Sequence, residues 1–428
     1  MFSLIAVPLG ALLACQCPTG LSASAPAVEL SLDVSHPTGV LVSAPTSDTS
    51  CVLDWGWEDR TFESAGPDGS GAWDSVLLGI PTETDVWVKA VCDGGAGAET
   101  TITTGSLPSV GSWVERVGDV PDVAAPYMLT VGVDYGGDST MSLTNLEGQT
   151  VWWETLTQRL LTHPRFDPEA GVIYGVEEAA GLVVAHLTGE TERWPIPEVH
   201  HDTVHLGDGR YLVSVKDVRT VDDISIAGDV ISIFDTVSGT TEIVWDAFDE
   251  LPIVENDGWD FVGSDGTVDW THLNGLTQDP DTGKIYASLY FDHAIVQIDG
   301  DTYDTDWILG GASSDFDVDQ DFGPQHSPVR VGDTMWMYDN GSDVSEGSRI
   351  VAFTIDEENW TATASFEWKP EADAFSPVLG SLDLADDSFV GAWGASGEIF
   401  VVDPGGELLG AYDIDGEAQA GLTTFVTF

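Results

Sequence analysis

Apolar and polar residues alternate in short runs along almost the whole chain, and clusters of Gly, Pro, Asp and Ser interrupt the runs every few residues. Period-two alternation is the mark of half-buried strands, and the interruptions mark turns. From Ala27 to Pro108 such runs, among them Val28–Val34 and Asp85–Val91, predict a small antiparallel sandwich. After Val123 a longer unit recurs six times, and its third and fourth strands show the period best. These are Thr140–Leu143 with Val151–Trp153, Gly181–Leu187 with Thr191–Trp194, Val230–Asp235 with Glu242–Trp245, Ala294–Asp299 with Asp306–Leu309, Ile350–Asp356 with Ala364–Trp368, and Ile399–Asp403 with Leu408–Tyr412. Six copies of a four-stranded unit predict a six-bladed β-propeller over residues 123–428, in which Leu422–Phe428 pairs with the first blade to close the ring. Trp152, Trp153, Trp194, Trp245, Trp307 and Trp368 recur at blade ends, where blade packing accounts for them.

The hairpin Val199–Val215 carries His200, His201 and His205. Its frame returns at Gln325–Tyr338, with His326 on His201 and Asp333 on Asp208, and again at Gly380–Val390, with Gly380 in the histidine's place. The first strand of each propeller blade lines the central channel. His201, His272 and His326 fall at or just before such strands on three blades and therefore face one axis. Of the other histidines, His36, His163, His186 and His205 read as structural, and Asp202 either orients a histidine or caps a turn.

Two resemblances sharpen this. Leu78–Thr84, Val86–Ala90 and Thr101–Gly105 resemble the last three strands of a fibronectin type III domain, so the fold class reads as all-β, a six-bladed propeller preceded by a fibronectin type III-like sandwich over 27–108 and a linker over 109–122. His200-His201-Asp202, Asp269-Trp270-Thr271-His272-Leu273-Asn274, Trp307-Ile308-Leu309-Gly310-Gly311, Phe322-Gly323-Pro324-Gln325-His326 and Tyr338-Asp339-Asn340-Gly341, in this order, resemble the bacterial arylsulfate sulfotransferases over most of Val123–Phe428. The resemblance implies ping-pong transfer of a sulfuryl group from an aryl sulfate to a phenol through a sulfo-histidine. It makes His326 the nucleophile, His201 (His200 in the alternative register) and His272 its catalytic partners, and Tyr290, Asn274, His200 and Asn340 the residues around the substrate. Neutral imidazole suits the attack and protonated neighbours suit the developing oxyanions. Tyr290, in Ser288-Leu289-Tyr290, stands where the family carries an arginine, so a neutral phenol that donates one hydrogen bond replaces a planar cation; His293 lies nearby.

Charge excludes whole classes of partner. With 13 Lys and Arg against 73 Asp and Glu, the formal charge is -60, which repels nucleic acid and anionic lipid. Sixteen Trp and 16 Phe nonetheless require a packed core, so the acid belongs to the surface. Within it, Asp315, Asp317, Asp319 and Asp321 alternate, the oxygen spacing of a weak structural Ca²⁺ candidate; a solvated acidic loop or a lid beside His326 are the other readings.

Residues 1–26 read as an export leader and tether. Met1–Ala14 is apolar and too short to span a membrane, and Leu12-Leu13-Ala14-Cys15 resembles a lipoprotein box that would place a lipid anchor on Cys15 at the cell surface. Cys51 and Cys92 lie in one small β-rich segment, and export predicts that a disulfide between them staples it. Two further readings of the histidines stay open: a propeller that binds without turnover, and a metal-dependent hydrolase with His201, His272 and His326 on one ion.

Overall fold

A computed structural model describes residues 29–32, 36, 38–44, 48–64, 73–108, 113–121, 123–133, 139–156, 163–168, 170–342, 347–370, 374–385, 388–414 and 419–426. The leader with Cys15 and Cys17 lies outside the described residues. Among those described, everything is strand and turn except one helical turn, Ala247–Glu250, and one 3-10 turn, Asp257–Asp260.

The N-terminal part is two facing antiparallel sheets. One orders Glu29–Leu32, Val40–Ala44 and Trp73–Leu77; the other sets Arg60–Ser64 beside Val52–Trp57, then Asp85–Cys92, with Thr100–Thr103 also on that strand. Asp85–Cys92 points inward at every second residue, so Val86, Val88 and Ala90 meet Val40, Val42, Leu53, Trp55 and Leu77 in one apolar cluster. A disulfide joins Cys51 to Cys92, as the sequence suggested. Leu78–Thr84, expected as a strand, is instead the connection after Trp73–Leu77, because Gly79 takes φ +76° and Pro81 has no amide for a ladder.

Six further sheets follow, each with four antiparallel strands at its heart. Every anticipated third and fourth strand is present, and Gln419–Val426 pairs with Tyr127–Val133, so the last strand completes the first of the six sheets. Residues expected as linker contribute too: Val114–Arg116 adds an outer strand to the sixth sheet by pairing with Leu408–Ile414. The inner strands of neighbouring sheets pack side by side, Val199–Gly207 on Leu273–Gln278, that strand on Gln325–Val331, then Ser381–Ala385 and Gln419–Val426.

Between sheets the filling is aromatic and aliphatic. Trp245 is buried and donates its indole N–H to Thr305 Oγ1 of the next sheet at 3.0 Å, while Trp307 packs edge-on against Phe316. The sandwich rests on the first of the six sheets: His36 stacks on Trp152, Thr38 Oγ1 donates to the Val151 carbonyl, and Arg60 pairs with Glu147.

Candidate active site

The histidines singled out in the sequence sit where inner strands begin, and the backbone there is irregular in a repeated way. His200 pairs with Ser214 and His326 with Tyr338; immediately afterwards the ladder slips, and the next residue, His201 or Ser327, takes a left-handed φ of +53° or +51°. His200, not His201, therefore occupies the place of His326, one residue from the alignment read in the sequence. His272 is also left-handed, at φ +50°. Such backbone costs about 1–3 kcal/mol per residue and persists where neighbours enforce it. For His201 the enforcing contact is Glu178, whose Oε1 accepts the His201 amide at 2.8 Å. On the sixth sheet the equivalent place is Gly380, at φ +98°, because a Cβ there would lie 2.3 Å from the Tyr338 ring.

His326 is buried, and one bond settles its tautomer. Its Nδ1 lies 2.7 Å from Asn340 Oδ1, while Asn340 Nδ2 donates to the carbonyls of Ser376 and Leu379 at 2.6 and 2.9 Å. Two carbonyl partners fix the amide's NH₂ end, so Oδ1 must accept and His326 Nδ1 must carry the proton. Nε2 is left with the lone pair. Burial, helped by the neighbouring His163, lowers the pKa of His326 to about 3, so the ring stays neutral.

His200 has the opposite character. Its Nε2 lies 2.9 Å from Asp229 Oδ1 and its Nδ1 2.9 Å from His201 Nδ1. Burial opposes the charged form, yet the Asp229 carboxylate raises the pKa above its ordinary value. His201 is driven well below, by burial and then by His272 and His200. The Asp229 carboxylate thus favours the charged form of His200, while burial and two neighbouring imidazoles favour the neutral form of His201, and one of the two facing Nδ1 atoms donates to the other. Asp229 also accepts from Thr271 Oγ1 and the Leu273 amide, each at 2.6 Å, which ties the third sheet to the fourth.

His272 Nδ1 lies 2.8 Å from Asp269 Oδ2, and its ring stands 4.8 Å from that of His201 and 5.6 Å from that of Tyr290. Tyr290 in turn stands 5.5 Å from His326. The three anticipated imidazoles are therefore brought together. Their ligand atoms do not form a metal cage: among the described residues, the one group of three donors drawn within 4.8 Å is Asp48, Cys51 and Cys92, whose sulfurs are bonded to each other.

Other expected residues have different partners. The Tyr290 hydroxyl donates to the Pro377 carbonyl, and burial raises its pKa to about 12. Asn274 Nδ2 donates to the Gln325 carbonyl at 2.9 Å, so it braces the peptide that leads into His326. In the acidic loop, Asp315 and Asp319 turn to backbone amides, of Ile308 and Ala364, and Asp317-Val318 pairs as a short parallel strand with Thr361-Ala362.

Sequence reading missed His163. It was counted as structural with His36, His186 and His205, which respectively stack on Trp152, meet Glu192 and pair with Asp167. His163 instead lies buried with its ring 6.4 Å from His326, its Nδ1 3.4 Å from Asp202 Oδ2. The signal was its place, two residues before the inner strand of the second sheet, Arg165–Asp167. Asp202 proves to be a hub: it accepts from Arg165 through both oxygens, at 3.2 and 2.8 Å, and from the amides of Thr203 and Leu276.

A protein-family model, Arylsulfotransferase (ASST), matches residues 169–399, more than half of the chain. The chain belongs to the arylsulfotransferase family. The family match contains His200, His201, His272, Tyr290, His326 and Asn340, and leaves His163 outside it. Arylsulfotransferase membership supports sulfotransferase function in general and small aryl molecules as substrates. No curated protein matches the sequence. Solved structures that are similar to this arylsulfotransferase include a nidogen/laminin complex, 11% identical over 70% of this chain and 98% of that one, TM-score 0.48. A β-propeller domain of Cps50 (Swd1) from Myceliophteria thermophila is 10% identical over 73% and 92% of the two chains, TM-score 0.40. An auxiliary nutrient binding protein from Bacteroides thetaiotaomicron is 14% identical over 89% and 86%, TM-score 0.40.

Proposed function

We propose that this chain moves a sulfuryl group from an aryl sulfate to a phenol in two steps, with His326 as the group that holds it between them. The observation that carries this is the Asn340 bond, which leaves a neutral His326 with its lone pair on Nε2. In the first step that lone pair forms an N–S bond as the S–O bond to the aryl group breaks, and the leaving phenolate takes a proton. In the second, an incoming phenol loses its proton, its oxygen bonds to sulfur, and the N–S bond breaks. In this reading His272, backed by Asp269, moves these protons, and His201 faces the charge gathering on the sulfuryl oxygens. The six sheets fit the blades of one propeller and the N-terminal sheets a fibronectin type III-like module; export and a lipid on Cys15 belong to the same reading.

A propeller that binds aryl sulfates without turnover is the second reading. It is favoured by Tyr290, which bonds to Pro377 where the family carries a cation. The deciding experiment is a burst assay with 4-nitrophenyl sulfate, with and without phenol, on the wild type and His326→Ala, with intact mass. Phenol-dependent release that vanishes in the variant, with one sulfuryl mass on the wild type, supports the transferase. No release and no adduct at low or high salt sinks it in favour of the binding module.

A further inference from the structure

A run of aromatic rings leads out from the candidate nucleophile, and the transfer chemistry leaves its outer end unused. Tyr290 stands 5.5 Å from His326, Phe291 stands 5.2 Å from Tyr290 at 84°, and Phe261 stands 4.7 Å from Phe291 at 32°. Phe291 also meets His272 edge-on at 5.1 Å. The inner rings are buried or half-buried, but Phe261 is 60% exposed and Val262 beside it 54%. A phenyl ring left in water forgoes the gain of burial, and this one is held there by an anchored backbone. Asn256 donates to the Trp270 carbonyl at 2.9 Å and to Asp292 at 2.6 Å, and the Phe261 amide closes on the Gly258 carbonyl at 3.0 Å. A fixed flat ring, continuous with the catalytic histidines, is a surface for another flat ring.

Charge narrows the guest. The segment 247–267 carries Glu255, Asp257, Asp260 and Asp265 around Phe261 and has no Lys or Arg. His293 faces Asp257 at 3.1 Å and Lys216 faces Asp269 at 3.7 Å, so the basic side chains beside this segment already have carboxylate partners. An acceptor with its own carboxylate would meet like charge there.

We infer that Phe261 and Phe291 form the wall that selects the phenolic acceptor, and that the acceptor is an extended aromatic, neutral or cationic, rather than a single small ring or an acid. This rests on the transferase reading of the same site. A fused second ring extends an acceptor held at His326 further along this run of rings than the single ring of phenol does.

The test measures transfer from 4-nitrophenyl sulfate to phenol, 2-naphthol and 6-hydroxy-2-naphthoate by the wild type, Phe261→Ala and Phe261→Leu, together with 2-naphthol binding followed by quenching of Trp fluorescence. The kcat/KM ratio of 2-naphthol to phenol falls about five- to tenfold in Phe261→Ala, through KM, and by less in Phe261→Leu. The naphthoate is the poorer naphthalene acceptor throughout. A ratio that does not move, or a naphthoate as good as 2-naphthol, overturns the inference. If no acceptor is sulfated, the transferase reading falls and binding decides: about five- to tenfold weaker 2-naphthol binding by Phe261→Ala upholds the wall, and equal binding removes it.

Discussion

His326 Nδ1 and Asn340 Oδ1 stand 2.7 Å apart, and the direction of that bond is dictated from the far end of Asn340, by the carbonyls of Ser376 and Leu379. The connection between the fifth and sixth sheets thereby decides which nitrogen of His326 carries the proton. Asn340→Ala should lower kcat/KM by roughly ten- to a hundredfold, the range typical when a histidine's orienting partner is lost. The same variant should show a mixed His326 tautomer in nitrogen chemical shifts; an unmixed tautomer with full activity would sink the assignment.

The buried, neutral state of His326 has a sign that pH measures. Its folded pKa of about 3 lies below the unfolded value, so between about pH 6.5 and 3 the unfolded chain takes a proton that the folded chain refuses. Stability from this residue therefore falls as pH drops through that window. His200 works in reverse: with its pKa raised by Asp229, it stabilises the fold fully below the unfolded pKa, and that gain is lost as pH rises through the folded pKa. Melting temperatures of the wild type and His326→Gln from pH 7 to 4 check this; the variant should lose less on acidification. Ring-carbon shifts of His326 should show no titration near pH 6.5.

Tyr290 offers a second discrimination. Its hydroxyl is committed to Pro377, so Tyr290→Phe should change turnover by no more than about threefold and stability by about 1 kcal/mol or less. Were the hydroxyl a donor to the developing oxyanion, the loss would be about 10²–10³-fold in kcat. Steady-state kinetics on the single variant separate the two. Tyr290→Arg should raise turnover, because a guanidinium brings the charge that the phenol lacks.

Asp202 is buried and accepts from Arg165, Thr203 and Leu276, elements of three different sheets. Asp202→Ala leaves Arg165 without its counter-charge, though still bonded to the Leu276 carbonyl, and two amides without an acceptor, so unfolding in urea should show a loss of about 3–5 kcal/mol. A change below about 1 kcal/mol would mean that the three sheets hold without it.

The sequence made the strands legible because alternation and turn residues are local signals. Asp85–Cys92 shows its in-out rhythm in plain letters, and the strand that pairs with Tyr127–Val133 betrays itself by being left over from the repeats. The site was legible where a histidine fell at the start of a recurring frame, as His201, His272 and His326 do. What stayed hidden depended on contacts between distant segments. His163 meets His326 from 163 positions away along the chain, Glu178 holds His201 through one backbone amide, and Asp229 raises the pKa of His200 from another strand. The one-residue misalignment of His201 has the same origin: the slip after His200 is a property of paired backbones, which a single strand does not display.

The sheet that joins Tyr127–Val133 to Gln419–Val426 sets an order of assembly. Thr130 and Thr423 touch there across 293 residues, so a chain emerging from synthesis must hold this sheet incomplete until its last stretch arrives. The sandwich, with local pairings and its own covalent staple, can form long before its platform of Val151 and Trp152 is sealed beneath it. Until Gln419–Val426 pairs with it, Tyr127–Val133 keeps an open edge, and an open edge is a template for the wrong partner.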